Sequence, residues 1–124
     1  SGFVREDYVF PVRQLDEPRQ RAECAVSLVE EAEALLLLEW RALYSIYYVA
    51  HVEQGRTGLV IYEALPYPTR ELTRTVLEDI DARLQAGEAV YTDNMHPALN
   101  RRYRLERVNG ECNDYTLFRV SLRG

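Results

Sequence analysis

The densest block of apolar side chains runs from residue 18 to residue 53, and its periodicity changes along the way. From Pro18 the spacing is helical: Ala25, Leu28, Val29, Ala32, Leu35 and Leu36 recur in steps of three and four, with Glu23, Glu30, Glu31 and Glu33 on the other side. Pro18 suits a first helical turn, and Asp16 and Glu17 stand at its positive end. Leu37 and Leu38 fall off the apolar face, so the helix is expected to end near residues 40–42. Residues 43–53 are rich in Tyr, Ile and Val and read as a central strand. Alternation would turn Tyr44, Ile46, Tyr48, Ala50 and Val52 inward, and Leu43, Tyr47 and His51 outward. Gly55 and Gly58 punctuate the connection to a second strand over 59–65, the pattern of a hairpin.

Pro66 and Pro68 stop that strand and open a second helix with a single apolar stripe, Leu72, Val76, Leu77, Ile80 and Leu84, ending at Gly87. A short strand over 88–92 and a loop over 93–97 follow. Residues 102–108 and 115–123 read as a closing hairpin. A wide loop is favoured over a tight Asn109-Gly110 turn, because it sets Tyr103 against Val120 and Leu105 against Phe118. Residues 3–12 alternate imperfectly, and Pro11 makes them an edge strand. The order β-α-β-β-α-β plus a C-terminal hairpin resembles the ferredoxin-like plait in element order. That resemblance implies an α+β fold with an antiparallel sheet carrying two helices on one face.

Length and composition add bounds. The 124 residues fit one domain, 1–124, in which Ser1 and Gly2 read as an expression-tag remnant. A net charge of −5 disfavours attraction to phosphate backbones, so no direct nucleic-acid contact is expected. No apolar run approaches a membrane span, and no leader-like segment stands out. All 15 basic residues are arginine, so the chain is lysine-free; a GC-rich coding genome accounts for that more simply than function does. Cys24 and Cys112, without a secretory signal, are expected as free thiols of a cytoplasmic protein, Cys112 the more exposed in a hairpin tip.

No motif carries recognisable chemistry. Cys24, His51, His96 and Cys112 lack metal-ligand spacing, so no metal and no cofactor is expected. His51 and Glu53, two apart on a strand, would share a face and could serve as a base pair, though a solvated sheet end is the simpler reading. Glu78, Asp79 and Asp81 read as a solvated helix face. Arg101, Arg102, Arg104 and Arg107 alternate with Tyr103, but ion pairing with neighbouring acids explains them better than RNA stacking.

The one excess is aromatic: nine tyrosines and a tryptophan exceed what one small core buries. Tyr, Trp and Arg dominate protein interfaces. The sequence therefore points to a non-enzymatic interaction module that modulates or inhibits a larger protein machine. A nucleic-acid enzyme such as a polymerase, with a basic groove, is one such machine. The partner-binding set is Tyr47, His51, Arg102 and Arg104. The alternative is a small-molecule-binding domain or small enzyme with a pocket near His51 and Glu53.

Overall fold

The computed structural model describes residues 18–64 and 72–124. The expected strand over 3–12 and the opening of the second helix at 68–71 lie outside the described residues. Helix α1 covers 18–27. Strand β1 (Ala34–Leu38) leads into α2 (Trp40–Tyr47), which continues as a π-helical turn over Tyr48–Glu53. Then come β2 (Leu59–Glu63), α3 (Arg74–Gln85), β3 (Ala89–Thr92), α4 (Pro97–Arg102), β4 (Tyr103–Arg107) and β5 (Phe118–Leu122).

The strands form one five-stranded sheet in the order β2-β1-β3-β5-β4. β1 pairs in parallel with both β2 and β3, while β3–β5 and β5–β4 are antiparallel. The fold is therefore mixed α+β, and the expected all-antiparallel sheet and plait order are corrected. The reason lies in β1. Its five residues are all buried, because helices cover both faces of a central parallel strand and leave no polar alternation. Read as the tail of a helix, Leu35 to Leu38 hid the strand. The break in helical spacing at Leu37 marked it.

The expectation of two helices on one face is corrected as well. Ala34, Leu36 and Leu38 pack with Ala22, Ala25, Val26 and Val29 of the α1 segment and with Ile46, Val49 and Ala50 of α2 and the π turn. Leu35 and Leu37 pack on the other side with Ile80 of α3 and Leu99 of α4. The expected stripe Leu72, Val76, Leu77, Ile80 and Leu84 lies against that second face. Thr73 caps α3, its hydroxyl accepting the Val76 N–H at 3.2 Å. Gly87 follows with φ 81°, a conformation that favours glycine.

The β4–β5 hairpin forms with the expected inward faces, but two residues further along: Tyr103 opposes Leu122 and Leu105 opposes Val120. The intervening loop has its own structure, a Cys112–Tyr115 bridge and a left-handed Asn113, and its Val108 N–H donates to Leu117 O at 2.9 Å. A disulfide joins Cys112 to Cys24, with Cα atoms 5.5 Å apart. This corrects the expectation of free thiols: Cys112 is buried, and the loop is pinned to α1 instead of projecting.

Arg56 closes the other end of α1. Its guanidinium donates to the carbonyls of Val26 at 3.0 Å, Val29 at 2.8 Å and Glu31 at 2.9 Å. Only Val26 belongs to α1, and its carbonyl also accepts the Val29 N–H at 3.1 Å; the cation sits at the negative end of the dipole. Beside it the chain approaches so closely that a Cβ on Gly58 would strike the Ala32 carbonyl oxygen.

Candidate interaction surface

Residues 40–53 are helical because their apolar positions recur at helical spacing. Ile46, Val49 and Ala50 are buried, with Ala42 and Leu43 packed against the same core. This corrects the strand expected over 43–53; β-favouring side chains yield to a face that fits one helix surface. The start is fixed through backbone: Asp93 Oδ1 accepts the Glu39 N–H at 2.9 Å. At the far end the Gln54 N–H donates five residues back, to Val49 O at 3.0 Å, which is the π-type bond.

The opposite face is aromatic and open. Tyr44 is 72% exposed, Val52 58%, Tyr48 52% and Trp40 48%. Trp40, Tyr44, Tyr48 and Val52 stand four residues apart, one continuous stripe. Residues 42–52 contain no Asp, Glu, Lys or Arg, although 28% of the whole chain is charged. Arg41 flanks one end, its guanidinium 5.8 Å from the Trp40 ring and its Nε donating to Glu39 at 2.6 Å. Glu53 flanks the other end, paired with Arg19 at 3.0 Å. Between the stripe and the start of α1 lies a groove of about 380 Å³, lined by Pro18, Arg19, Tyr44, Tyr48 and Glu53.

Tyr47 is exposed, its ring 4.5 Å from that of His51. The His51 Nε2 meets the Leu59 carbonyl, which can only accept, so that nitrogen carries the proton. The expected sharing of a face by His51 and Glu53 is corrected: two residues apart on a helix they diverge. Arg102 donates to Asp81 at 2.6 Å and to the Tyr103 hydroxyl at 3.2 Å. The Tyr103 hydroxyl donates to the same Asp81 at 2.6 Å, and these two hydrogen bonds, Arg102's first, lower the Asp81 pKa. Burial and the Asp81 contact push the Tyr103 phenol up to about 12. Arg102 thus ties α4 to α3. Arg104 is exposed on β4, facing away from Tyr103 and Leu105.

The four residues singled out from sequence do not form one patch. His51 reaches β2 and Arg104 stands on β4, at opposite edges of the sheet, four strand spacings or roughly 19 Å apart. Trp40, Tyr44, Tyr48 and Val52 were missed as an outward set. Their signal was present in the sequence, since the aromatic positions and the apolar positions at 42, 43, 46, 49 and 50 both repeat at helical spacing.

A second polar site lies at the carboxyl ends of β1 and β3, where the chain leaves β1 for β2 on one side and returns to β3 on the other. Open α/β sheets hold ligands in such crevices. The cleft, about 360 Å³, is lined by Glu39, Arg41, Asp93, Asn94, Met95 and Tyr115 among others. Burial raises the Asp93 pKa, and the Tyr115 hydroxyl, donating at 2.8 Å, only partly offsets it. Each oxygen of Asp93 already has a protein donor, and Glu39 is held by Arg41. Among the described residues no three His, Cys, Asp or Glu side chains are grouped to hold a metal ion. No helix of the described residues is long and apolar enough to cross a membrane. No family model matches the chain, and no curated protein or solved structure matches it.

Proposed function

We propose that this chain is a non-catalytic protein-interaction module that modulates or inhibits a larger protein by covering part of its surface. The working face is the stripe Trp40, Tyr44, Tyr48 and Val52 rather than a patch joining Tyr47 and His51 to Arg102 and Arg104. The observation that supports this reading is the exposure of three large aromatics on an uncharged face of a chain that is otherwise rich in charge. Trp and Tyr supply large contact area at small conformational cost, and contiguous exposed apolar patches on a small domain mark interaction sites. Catalysis finds less support. His51 is bonded through Nε2 to a backbone carbonyl, and the acids of the strand-end cleft are already paired. A net charge of −5 would draw the chain towards a basic partner surface. The Cys24–Cys112 disulfide favours an oxidising compartment over the cytoplasm as the setting.

The test is paired capture with the wild-type chain and a Tyr44→Asp variant, followed by calorimetry on any protein retained. A partner that binds the wild type and is lost from the variant supports the reading. Identical retention by both, with the fold intact, removes the aromatic face from the function.

A further inference from the structure

We infer that a second copy of this chain can occupy the aromatic face, the two α2–π segments packing antiparallel about a twofold axis between Tyr44 and Tyr48. This rests on the reading that the face is an interaction surface, and it names one occupant. Residues 40, 44, 48 and 52 are symmetric about position 46. An antiparallel pair therefore sets Trp40 of one copy on Val52 of the second, and Tyr44 on Tyr48. The largest side chain of the stripe meets the smallest, which a self-complementary contact needs. Residues 40–53 span about 21 Å, enough for several turns of helix contact.

The charges select the orientation. One end of the stripe carries the Glu39–Arg41 pair and the other the Arg19–Glu53 pair. About an axis at position 46, residue 41 faces 51 and residue 39 faces 53, so the opposed Glu39 and Glu53 are flanked by Arg41 of one copy and Arg19 of the second, and signs alternate at both ends. A parallel pair would set Arg41 on Arg41. The centre, residues 42–52, holds no charged side chain, so two chains of net charge −5 meet there without opposing charges to desolvate. A pair of this kind hides the stripe until another protein displaces the second copy.

Sedimentation equilibrium of the full chain from low micromolar to millimolar concentration tests this. A reversible monomer–dimer equilibrium is expected. Arg41→Glu and Glu53→Arg should each weaken it by at least about tenfold, and the double exchange should restore most of it. Tyr44→Asp should abolish it, with an unchanged melt because Tyr44 is largely exposed. A chain monomeric at every concentration overturns the inference, as does a dimer indifferent to Tyr44→Asp or a double exchange no better than the single ones. Should the chain stay monomeric while Tyr44→Asp still loses a captured partner, the self-pairing fails and the interaction reading stands.

Discussion

The Tyr115 hydroxyl donates to Asp93 Oδ2 at 2.8 Å across the carboxyl ends of β1 and β3, while Oδ1 of the same carboxylate accepts the Glu39 N–H. One acid thus joins the end of β3, the start of α2 and the disulfide-pinned loop. Burial raises its pKa above the ordinary 3.8. The folded chain therefore holds that proton to higher pH than the unfolded chain does. As pH rises from 3.8 through the raised value, the unfolded state loses its proton first, and the contribution of Asp93 to stability falls.

Asp93→Asn keeps an acceptor for Glu39 and an amide that can face the Tyr115 oxygen, and it does not ionise. Relative to wild type, this variant should gain stability as pH is raised from about 4 to about 7. Glu31 and Asp81 act with the opposite sign. Burial alone would raise the Glu31 pKa, but hydrogen bonds from Tyr91 and Arg119 and the Arg119 charge outweigh it, and the Asp81 pKa is lowered too. Their contribution is present above the ordinary carboxylate range and is lost as pH falls through their lowered values. Comparing variant with wild type cancels both. Urea melts across this range check the prediction, and a difference that is flat or runs the other way contradicts it.

Arg56 spans three carbonyls at the end of α1, and no other donor from the described residues is bonded to them from a side chain. Arg56→Ala should cost about 2–4 kcal/mol, the range for losing hydrogen bonds from a charged donor, although the Val26 carbonyl keeps its bond from the Val29 N–H. Arg56→Lys should recover only part of this, since one ammonium cannot reproduce the planar fork. A loss below about 0.5 kcal/mol in a urea melt of the alanine variant would show that water replaces the guanidinium.

The Cys24–Cys112 bond links segments 88 residues apart. The intact protein should have a mass lower by two hydrogens than its reduced form, with neither thiol open to alkylation before reduction. Reducing the bond should lower stability by about 2–4 kcal/mol. Free thiols in protein folded under oxidising conditions, or a melt unmoved by reductant, contradict the assignment.

The parts of the fold readable in the sequence are those whose period matched one buried face. The α3 stripe, Gly87 and the inward residues Tyr103, Leu105 and Val120 belong here. The rest was hidden by burial on two sides. Leu35 to Leu38 show no alternation because both faces of β1 are covered, so the run continued a helical pattern by default. Tyr47, Tyr48 and Val49 then favoured a strand by residue type, while the 42, 43, 46, 49, 50 spacing, which required a helix, was outweighed. That single exchange of period turned Tyr44 and Tyr48 outward, while Tyr47 is exposed as expected. The disulfide was not readable, because residues 88 apart acquire a shared position only through the sheet. Leu28, expected as core, is only partly buried, whereas Leu35 and Ile80, expected as core as well, are fully buried. Each to Ala should cost about 2–5 kcal/mol in a thermal or urea melt.

The exposed stripe yields the functional prediction. Tyr44 is the most exposed of its aromatics, so removing its ring changes little inside the fold. Tyr44→Ala should weaken binding of a captured partner by about 1–4 kcal/mol while shifting stability by less than about 0.5 kcal/mol. Tyr48→Ala should behave alike, because it lies one helical turn along the same stripe. Arg104→Glu is the internal comparison. It stands on β4, an edge of the sheet remote from α2, and should leave affinity unchanged. Tyr47→Ala should fall between them, since its ring leans on His51 at 4.5 Å and contributes to that packing as well as to the surface. Calorimetry on the four variants, with a melt of each, separates the two surfaces. If Arg104→Glu weakens binding and Tyr44→Ala does not, the partner docks on the arginine-bearing edge and the stripe serves another purpose.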